Sequence, residues 1–268
     1  SGQLVAVTIS GGTLNLNTAN PVTLPSLTMS SGTLGGTGAV TVTGAFNVTG
    51  FSTLTGTGVF TTQGASTVNI GGGSSWITIT GGKSWINQGT LTVAGDDSIF
   101  FGYTSGGTNT LTNAAGATLN LSSTNATPLN FFTGSATLNN AGTLNQTVAG
   151  THAITGNIAF NNTGAVNVDA GTLTVGGSGT DTGIYAVVEG AMLNFSGGTR
   201  NLNAGTNVTG LGSLTVSGAT VNANNLLDIA ATGSSLTVSS GTLNIGANVL
   251  SGQLVAVTIS GGTLNLNT

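Results

Sequence analysis

A short motif recurs down this chain: a Gly, a small polar residue, then aliphatic residues alternating with Thr or Asn. It reads GTLNLN at 12–17, GTLTV at 89–93, GATLNL at 116–121, GAVNV at 164–168, GTLTV at 171–175, GSLTV at 212–216 and GTLNI at 241–245. Between Gly89, Gly116, Gly142, Gly164, Gly190, Gly212 and Gly233 the steps are 27, 26, 22, 26, 22 and 21 residues. Successive side chains of a strand point to opposite faces, so Leu91 and Val93 turn to one side and Thr90 and Thr92 to the other. Helical spacing is sustained nowhere, and Thr, Val, Asn and Gly are poor helix formers. A strand motif recurring every twenty-odd residues describes one coil of a β-solenoid.

Parallel stacking of such coils follows from energetics. A single coil exposes too little apolar surface to fold alone, whereas stacking sets Leu on Leu and Val on Val in a continuous core. The backbone amides then pair with the coils above and below, and like residues line up so that Asn and Thr can form ladders. Gly or Asn-Gly-like steps, as in 87–89, 113–116, 140–142 and 162–164, supply the positive φ expected at the corners. The fold class expected is therefore all-β: a three-sided parallel β-helix of about 12 coils, near 21 residues each, which at ~4.8 Å per coil extends about 58 Å. Insertions at 96–109 and 123–135 are where coils should bulge.

A second, longer repeat encloses the first. Residues 1–18, SGQLVAVTISGGTLNLNT, return unchanged as residues 251–268. Chance does not produce such an identity, so residues 1–250 read as one solenoid unit, and 251–268 as the start of the next identical unit, continuous with it. Neither end shows a polar cap or closing helix, which fits a segment of a longer tandem array.

Composition narrows the function classes. Only 3% of residues are charged, and Lys83 and Arg200 are the two basic ones in a chain of formal net charge −4. Nucleic-acid binding needs clustered Lys and Arg to displace counterions, and an anionic membrane surface asks for the same. No apolar run approaches the roughly 18 residues of a membrane span, and no signal-peptide pattern opens the sequence. Gly and Ser enrichment suggests disorder, but the regular aliphatic spacing and a mean hydropathy of +0.34 oppose it. The absence of Cys removes disulfides and thiolate sites, and is compatible with export of an unfolded chain.

The run at residues 161–218, NNTGAVNVDAGTLTVGGSGTDTGIYAVVEGAMLNFSGGTRNLNAGTNVTGLGSLTVSG, resembles the repeats of giant bacterial surface proteins with filamentous-haemagglutinin-like or autotransporter-passenger β-helices. The resemblance implies a right-handed β-helix, export across a Gram-negative-type envelope, an extracellular cell-surface location and a role in adhesion or fibre formation.

Chemistry-bearing residues are few. The acids Asp96, Asp97, Asp169, Asp181, Glu189 and Asp228 are scattered, whereas a glycan-cleaving β-helix needs convergent carboxylates; no catalytic residue is assigned. Asp96 and Asp97 adjoin, but strand neighbours point oppositely. Residues 176–181, GGSGTD, match the front half of a calcium nonapeptide, although Gly183 stands where a large apolar residue belongs; the competing reading is a turn with a solvated Asp181. Asp96, Asp97 and Asp181 are thus the only metal candidates, and no metal or cofactor is assigned. His152, the single imidazole, through which any Ser-His-Asp arrangement would have to pass, stands where other coils carry Thr or Asn, so a solvent-facing or turn position is expected rather than catalysis. Trp76 and Trp85 flank Lys83 in WITITGGKSW; exposed indoles beside a cation would stack on a sugar or a neighbouring fibre, while the competing reading puts one or both in the core.

These features favour a non-enzymatic surface filament or adhesin stalk whose partners are further copies of itself and, through its surface, glycans. Two other classes compete: an ice- or carbohydrate-binding solenoid, and a glycan-processing β-helix enzyme.

Overall fold

The structure, a computed structural model, describes residues 5–224, 227–228, 234–246 and 256–267. All 31 strands belong to one parallel sheet, and no helix occurs among the described residues. Each coil places one strand on each of three faces, and a strand pairs with its counterpart one coil on. On the first face Thr90–Val93 pairs with Thr118–Leu121; on the second, Asp97–Phe101 with Leu129–Phe131; on the third, Ser84–Asn87 with Thr108–Asn113. At the two ends, long strands turn a corner and serve two faces, as Leu27–Gly35 and Ser213–Ala223 do.

The alternation in the motif becomes a set of axial columns. On the first face Leu91, Leu119, Leu144, Val166, Tyr185 and Val208 stack in register and are fully buried. Burying one such side chain contributes about 1.5–3 kcal/mol; within the stack each packs on its neighbours, while Leu91 at its start rests on Ser66 of the coil below. The outward positions between them carry Thr92, Asn120, Asn145 and Asn167, tied by amide hydrogen bonds of 3.3, 2.8 and 2.9 Å.

One column is polar although it faces inward. At the corner between the third and first faces, Asn87, Asn113, Asn140 and Asn162 are buried; the first three each donate from Nδ2 at 2.8 Å to the Oδ1 of the next, and Asn162 Nδ2 donates 3.2 Å to the Ile184 carbonyl. Asn87, Asn113 and Asn140 also donate to the carbonyls of Thr118, Thr143 and Ala165. Dry polar groups persist only when satisfied, and this ladder satisfies them from coil to coil. Its glycines differ from the expectation of positive φ. Gly116 has φ 80°, but Gly142 and Gly164 do not occupy the left-handed region; they are required because an added Cβ would meet the carbonyl oxygens of Ala117 and Gly142 at 2.2 and 2.1 Å.

Turns number about 11 rather than 12. The middle coils are longer than 21 residues: Leu91 lies beneath Leu119 and Ile99 beneath Leu129, steps of 28 and 30 residues. The extra chain sits at 102–107 and 123–128, between strands, so residues 97–101 and 129–131 remain regular strands inside the segments expected to bulge. The two copies of the 18-residue segment do not share a face. Residues 7–9 lie on the first face and 13–15 on the second, whereas Ala256–Ile259 lies on the second and Thr263–Leu266 on the third. A 250-residue unit therefore makes about 11 turns plus one further face. Residues 251–255 and 268 of the second copy lie outside the described residues.

Candidate functional site: an outer aromatic strip and the buried polar groups

Trp76 lies in Ser75–Ile79 and Phe100 in Asp97–Phe101, adjacent strands of the second face. Strand alternation sends Ile77, Ile99 and Phe101 into the core, so Trp76 and Phe100 project outward. Phe51, Tyr103 and Phe132 join them from the strand ends of the same face. Ring centroids run 4.8 Å from Phe51 to Trp76, 5.0 Å from Trp76 to Phe100, 5.5 Å from Trp76 to Tyr103 and 5.0 Å from Tyr103 to Phe132. The five rings form a strip along the axis across four coils, half-buried in the middle and more than half exposed at Phe51 and Phe132. They cover Thr78 and Ser98, outward residues that are nearly inaccessible. Thr104, with φ 70°, occupies a strained left-handed conformation beside Tyr103.

Of the three surface candidates, Trp76, Lys83 and Trp85, only Trp76 lies at the surface, and Trp85 follows the competing reading of a core indole. Trp85 is fully buried on the third face, packed edge-on against Phe46 and Phe60 with centroids 5.5 and 5.7 Å away, and its Nε1 donates 3.1 Å to Thr62 Oγ1. Trp76 and Trp85 are nine residues apart and on different faces, which parts them despite their common motif. Lys83 is also buried, its Nζ donating 2.7 Å to the Gly58 carbonyl of the coil below; burial lowers its pKa to about 8. Neither Lys83 nor Trp85 contributes to a surface.

Asp96 lies in the turn before the strand and Asp97 is the strand's first residue, and the two carboxylates bind different partners. Asp96 sits near the strip, where its Oδ2 accepts from Ser74 Oγ at 2.7 Å. Asp97 is fully buried and its Oδ2 accepts from the Ile70 amide at 2.5 Å; desolvation raises its pKa, partly opposed by backbone N–H donors including that of Ile70.

Asp181 is not a solvated turn residue. It lies at the inward end of Gly179–Asp181 and is ion-paired with Arg200, both fully buried. Gly179 explains how an Arg enters the core: its missing side chain leaves room that the guanidinium fills, since a Cβ there would lie 2.5 Å from Arg200 Nη1. Nη1 donates 2.6 Å to the Phe160 carbonyl, Nη2 donates to Tyr185 Oη at 3.2 Å, and the guanidinium lies 5.3 and 5.6 Å from the Phe160 and Phe195 rings. Burial raises the Asp181 pKa against the opposing pull of Arg200. Burial works against the Arg200 charge too, yet Tyr185 and Asp181 outweigh it and hold its pKa above the usual value. With its carboxylate committed to Arg200, Asp181 is a structural ion-pair partner, and the half-motif at 176–181 is strand and corner.

His152 likewise turns inward, in register with Leu173 rather than with outward Thr or Asn, and its Nδ1 lies 2.7 Å from Gln146 Nε2. Desolvation lowers its pKa. Gln146 Nε2 also donates to Val148 O at 2.9 Å, which makes Nδ1 the acceptor of a neutral ring. Asp169 and Glu189 are exposed, and the side chain of Asp228 falls outside the described residues. Among the described residues no group of three or more His, Cys, Asp or Glu gathers in metal-binding geometry, and no helix is long and apolar enough to cross a membrane. Sequence pattern gave no warning of the strip as a unit, because its rings come from four coils at irregular intervals. Comparison of the chain with family models, curated proteins and solved structures finds no match.

Proposed function

We propose that this chain is a segment of an extracellular structural β-solenoid, a surface filament or adhesin stalk lengthened by tandem 250-residue units. The supporting observation is the way the second copy of the 18-residue segment is seated. Val257 and Ile259 lie on Leu236 and Val238, and Leu264 and Leu266 on Leu243 and Ile245. The same residues of the first copy, Val7, Ile9 and Leu14, lie against Leu27, Met29 and Leu34 of the following coil. One sequence thus accepts coils of the unit on both edges, and at this joint the aliphatic positions of the second and third faces continue in register. The near absence of charge suits a rod whose sides repel weakly. Chains of one, two and four covalently joined units, imaged by negative stain, should lengthen by about 54 Å per unit at constant width. Units that fold back side by side would refute the filament reading.

A carbohydrate-binding role is the second reading, favoured by the outer strip. Contiguous exposed aromatics mark interaction sites, and the surrounding Thr, Ser and Asn with Asp96 offer hydrogen bonds to hydroxyls without a strong field of either sign. Retention on immobilised neutral polysaccharides, lost in Trp76→Ala/Tyr103→Ala, would support it; equal retention of both proteins would eliminate it. The outward column of the first face mixes Thr with tethered Asn, which disfavours a flat Thr array of the ice-binding kind.

A further inference from the structure

We infer that the corner formed by residues 69–75 and 95–97 is a calcium site, in which the carboxylates of Asp96 and Asp97 and the amide oxygen of Asn69 hold one cation between two coils. The inference concerns an ion rather than a partner or a filament, and it rests on neither functional reading.

Three corners stack here between the first and second faces. The middle one, 94–96, is the shortest and joins Thr90–Val93 to Asp97–Phe101; below it runs 69–74, between Ala65–Val68 and Ser75–Ile79, and above it 122–128. The main-chain oxygens of the short corner are committed upward. Gly95 O accepts from the Thr124 amide and hydroxyl at 2.8 and 3.0 Å, Asp96 O from Asn125 Nδ2 at 3.2 Å, and Asp97 O from Ser123 Oγ at 2.7 Å. Its carboxylates turn downward, to the loop below. Asp96 Oδ2 meets Ser74 Oγ and Asp97 Oδ2 meets the Ile70 amide, with the Gly71 and Ser75 amides also against the Asp97 carboxylate.

Asp97 supplies the observation that points to a ligand. Its side chain is fully buried, yet Oδ1 has no hydrogen-bond donor among the described residues, and dry carboxylate oxygens persist when paired or bound to a metal. The carboxylate is aimed at the space over Gly95, where an added Cβ would stand 3.3 Å from Asp97 Oδ2, 3.8 Å from Asp97 Cγ and 3.1 Å from Asn69 Oδ1. Glycine, at φ 64°, keeps that space open and leaves oxygens from two coils on its rim. Neither basic side chain balances the two acids, because Lys83 is bound to the Gly58 carbonyl and Arg200 to Asp181.

The donors are all oxygens, which selects calcium or magnesium over transition metals. Ligands contributed by separate coils, one of them an exposed Asn, suit the adaptable coordination of calcium better than the strict octahedron of magnesium. With two carboxylates, and water completing the shell, the affinity belongs with extracellular calcium modules, at a Kd of about 0.1–1 mM. Bound calcium would tie the loop at 69–74 to the corner above it and so fix the entry to the strand that carries Trp76.

Terbium titration of the full chain tests this, since Tb³⁺ takes calcium's ligands and is excited through a nearby indole. Trp76 follows the loop directly, whereas Trp85 is buried on the third face. Sensitised emission should appear, be displaced by calcium, and largely vanish in Trp76→Phe while calorimetric calcium affinity stays unchanged. Calcium should raise the melting temperature and a chelator reverse the rise. Asp96→Asn should weaken calcium at least tenfold and Asn69→Ala severalfold, both with unchanged circular dichroism; these side chains lie outside the core, so the test stands even where Asp97→Asn fails to fold. Absence of binding heat and of any melting shift up to about 10 mM calcium, tenfold above the expected range, overturns the inference. Binding unaltered by both Asp96→Asn and Asn69→Ala, emission that persists in Trp76→Phe, or displacement by magnesium as readily as by calcium overturns it as well.

Discussion

Breaking the buried asparagine ladder at one rung should cost more per residue than removing two adjacent rungs. Asn113 accepts from Asn87 Nδ2 at 2.8 Å and donates to Asn140 Oδ1 at 2.8 Å and Thr143 O at 2.9 Å. Asn113→Leu deletes these three bonds, each contributing about 1 kcal/mol net, and leaves Asn140 Oδ1 buried without its donor, a further 1–3 kcal/mol or so. Added apolar burial offsets roughly 1–2 kcal/mol, for a net loss of about 3 kcal/mol. Asn140→Leu alone loses a similar amount, because Asn162 Oδ1 is stranded instead. In the double variant the orphaned Asn140 oxygen no longer exists, so one break in the ladder remains rather than two. The Asn113–Asn140 bond is also lost once rather than twice, so the double loss should fall short of the sum by about 2–4 kcal/mol. Urea unfolding followed by circular dichroism measures all four proteins, with an unchanged denaturant slope confirming comparable transitions. Losses that add within about 0.4 kcal/mol would refute the claim that the rungs act as one hydrogen-bonded chain.

Other perturbations test the remaining buried groups. The Lys83 amine has a pKa of about 8 folded against roughly 10.4 unfolded, so the unfolded chain binds the extra proton and stability should rise as pH climbs from 8 to 10.4. Lys83→Met should stabilise by about 1–3 kcal/mol at pH 7 with a gain that shrinks over that window; a pH-independent difference in melting temperature would contradict it. Asp181→Ala leaves the Arg200 charge alone in the core and should cost about 3–5 kcal/mol, whereas Asp181→Leu/Arg200→Leu should cost clearly less; equal losses in urea would exclude the ion pair as the cause. Gly164→Ala and Gly116→Ala should both destabilise, the first by collision with the Gly142 carbonyl and the second through its φ of 80°. Asn tolerates the left-handed region, so Gly116→Asn should recover stability relative to Ala while Gly164→Asn should not.

The sequence by itself determined the repeating coil, its parallel stacking and the absence of helix, because these follow from period-two alternation repeated every twenty-odd residues. Leu91, Leu119, Leu144 and Val166 could be placed in one column from the motif alone, and Trp76 could be named as a surface candidate. Tertiary structure decided whatever depends on a side chain's neighbours one coil away. Asn87, Asn113, Asn140 and Asn162 marked corners in the sequence, but only stacking shows that they point inward and satisfy one another. Arg200 enters the core because Gly179, 21 residues earlier, leaves it space, and Asp181 becomes its partner rather than a solvated turn residue. Lys83 and Trp85, surface candidates in the sequence with a core position left open for the indole, lie inside: alternation fixes that neighbours face opposite ways, but which way is set by the face and corner they occupy. The further face added to about 11 turns accumulates from coil lengths that vary between 18 and 30 residues, a sum of local insertions that no single motif records.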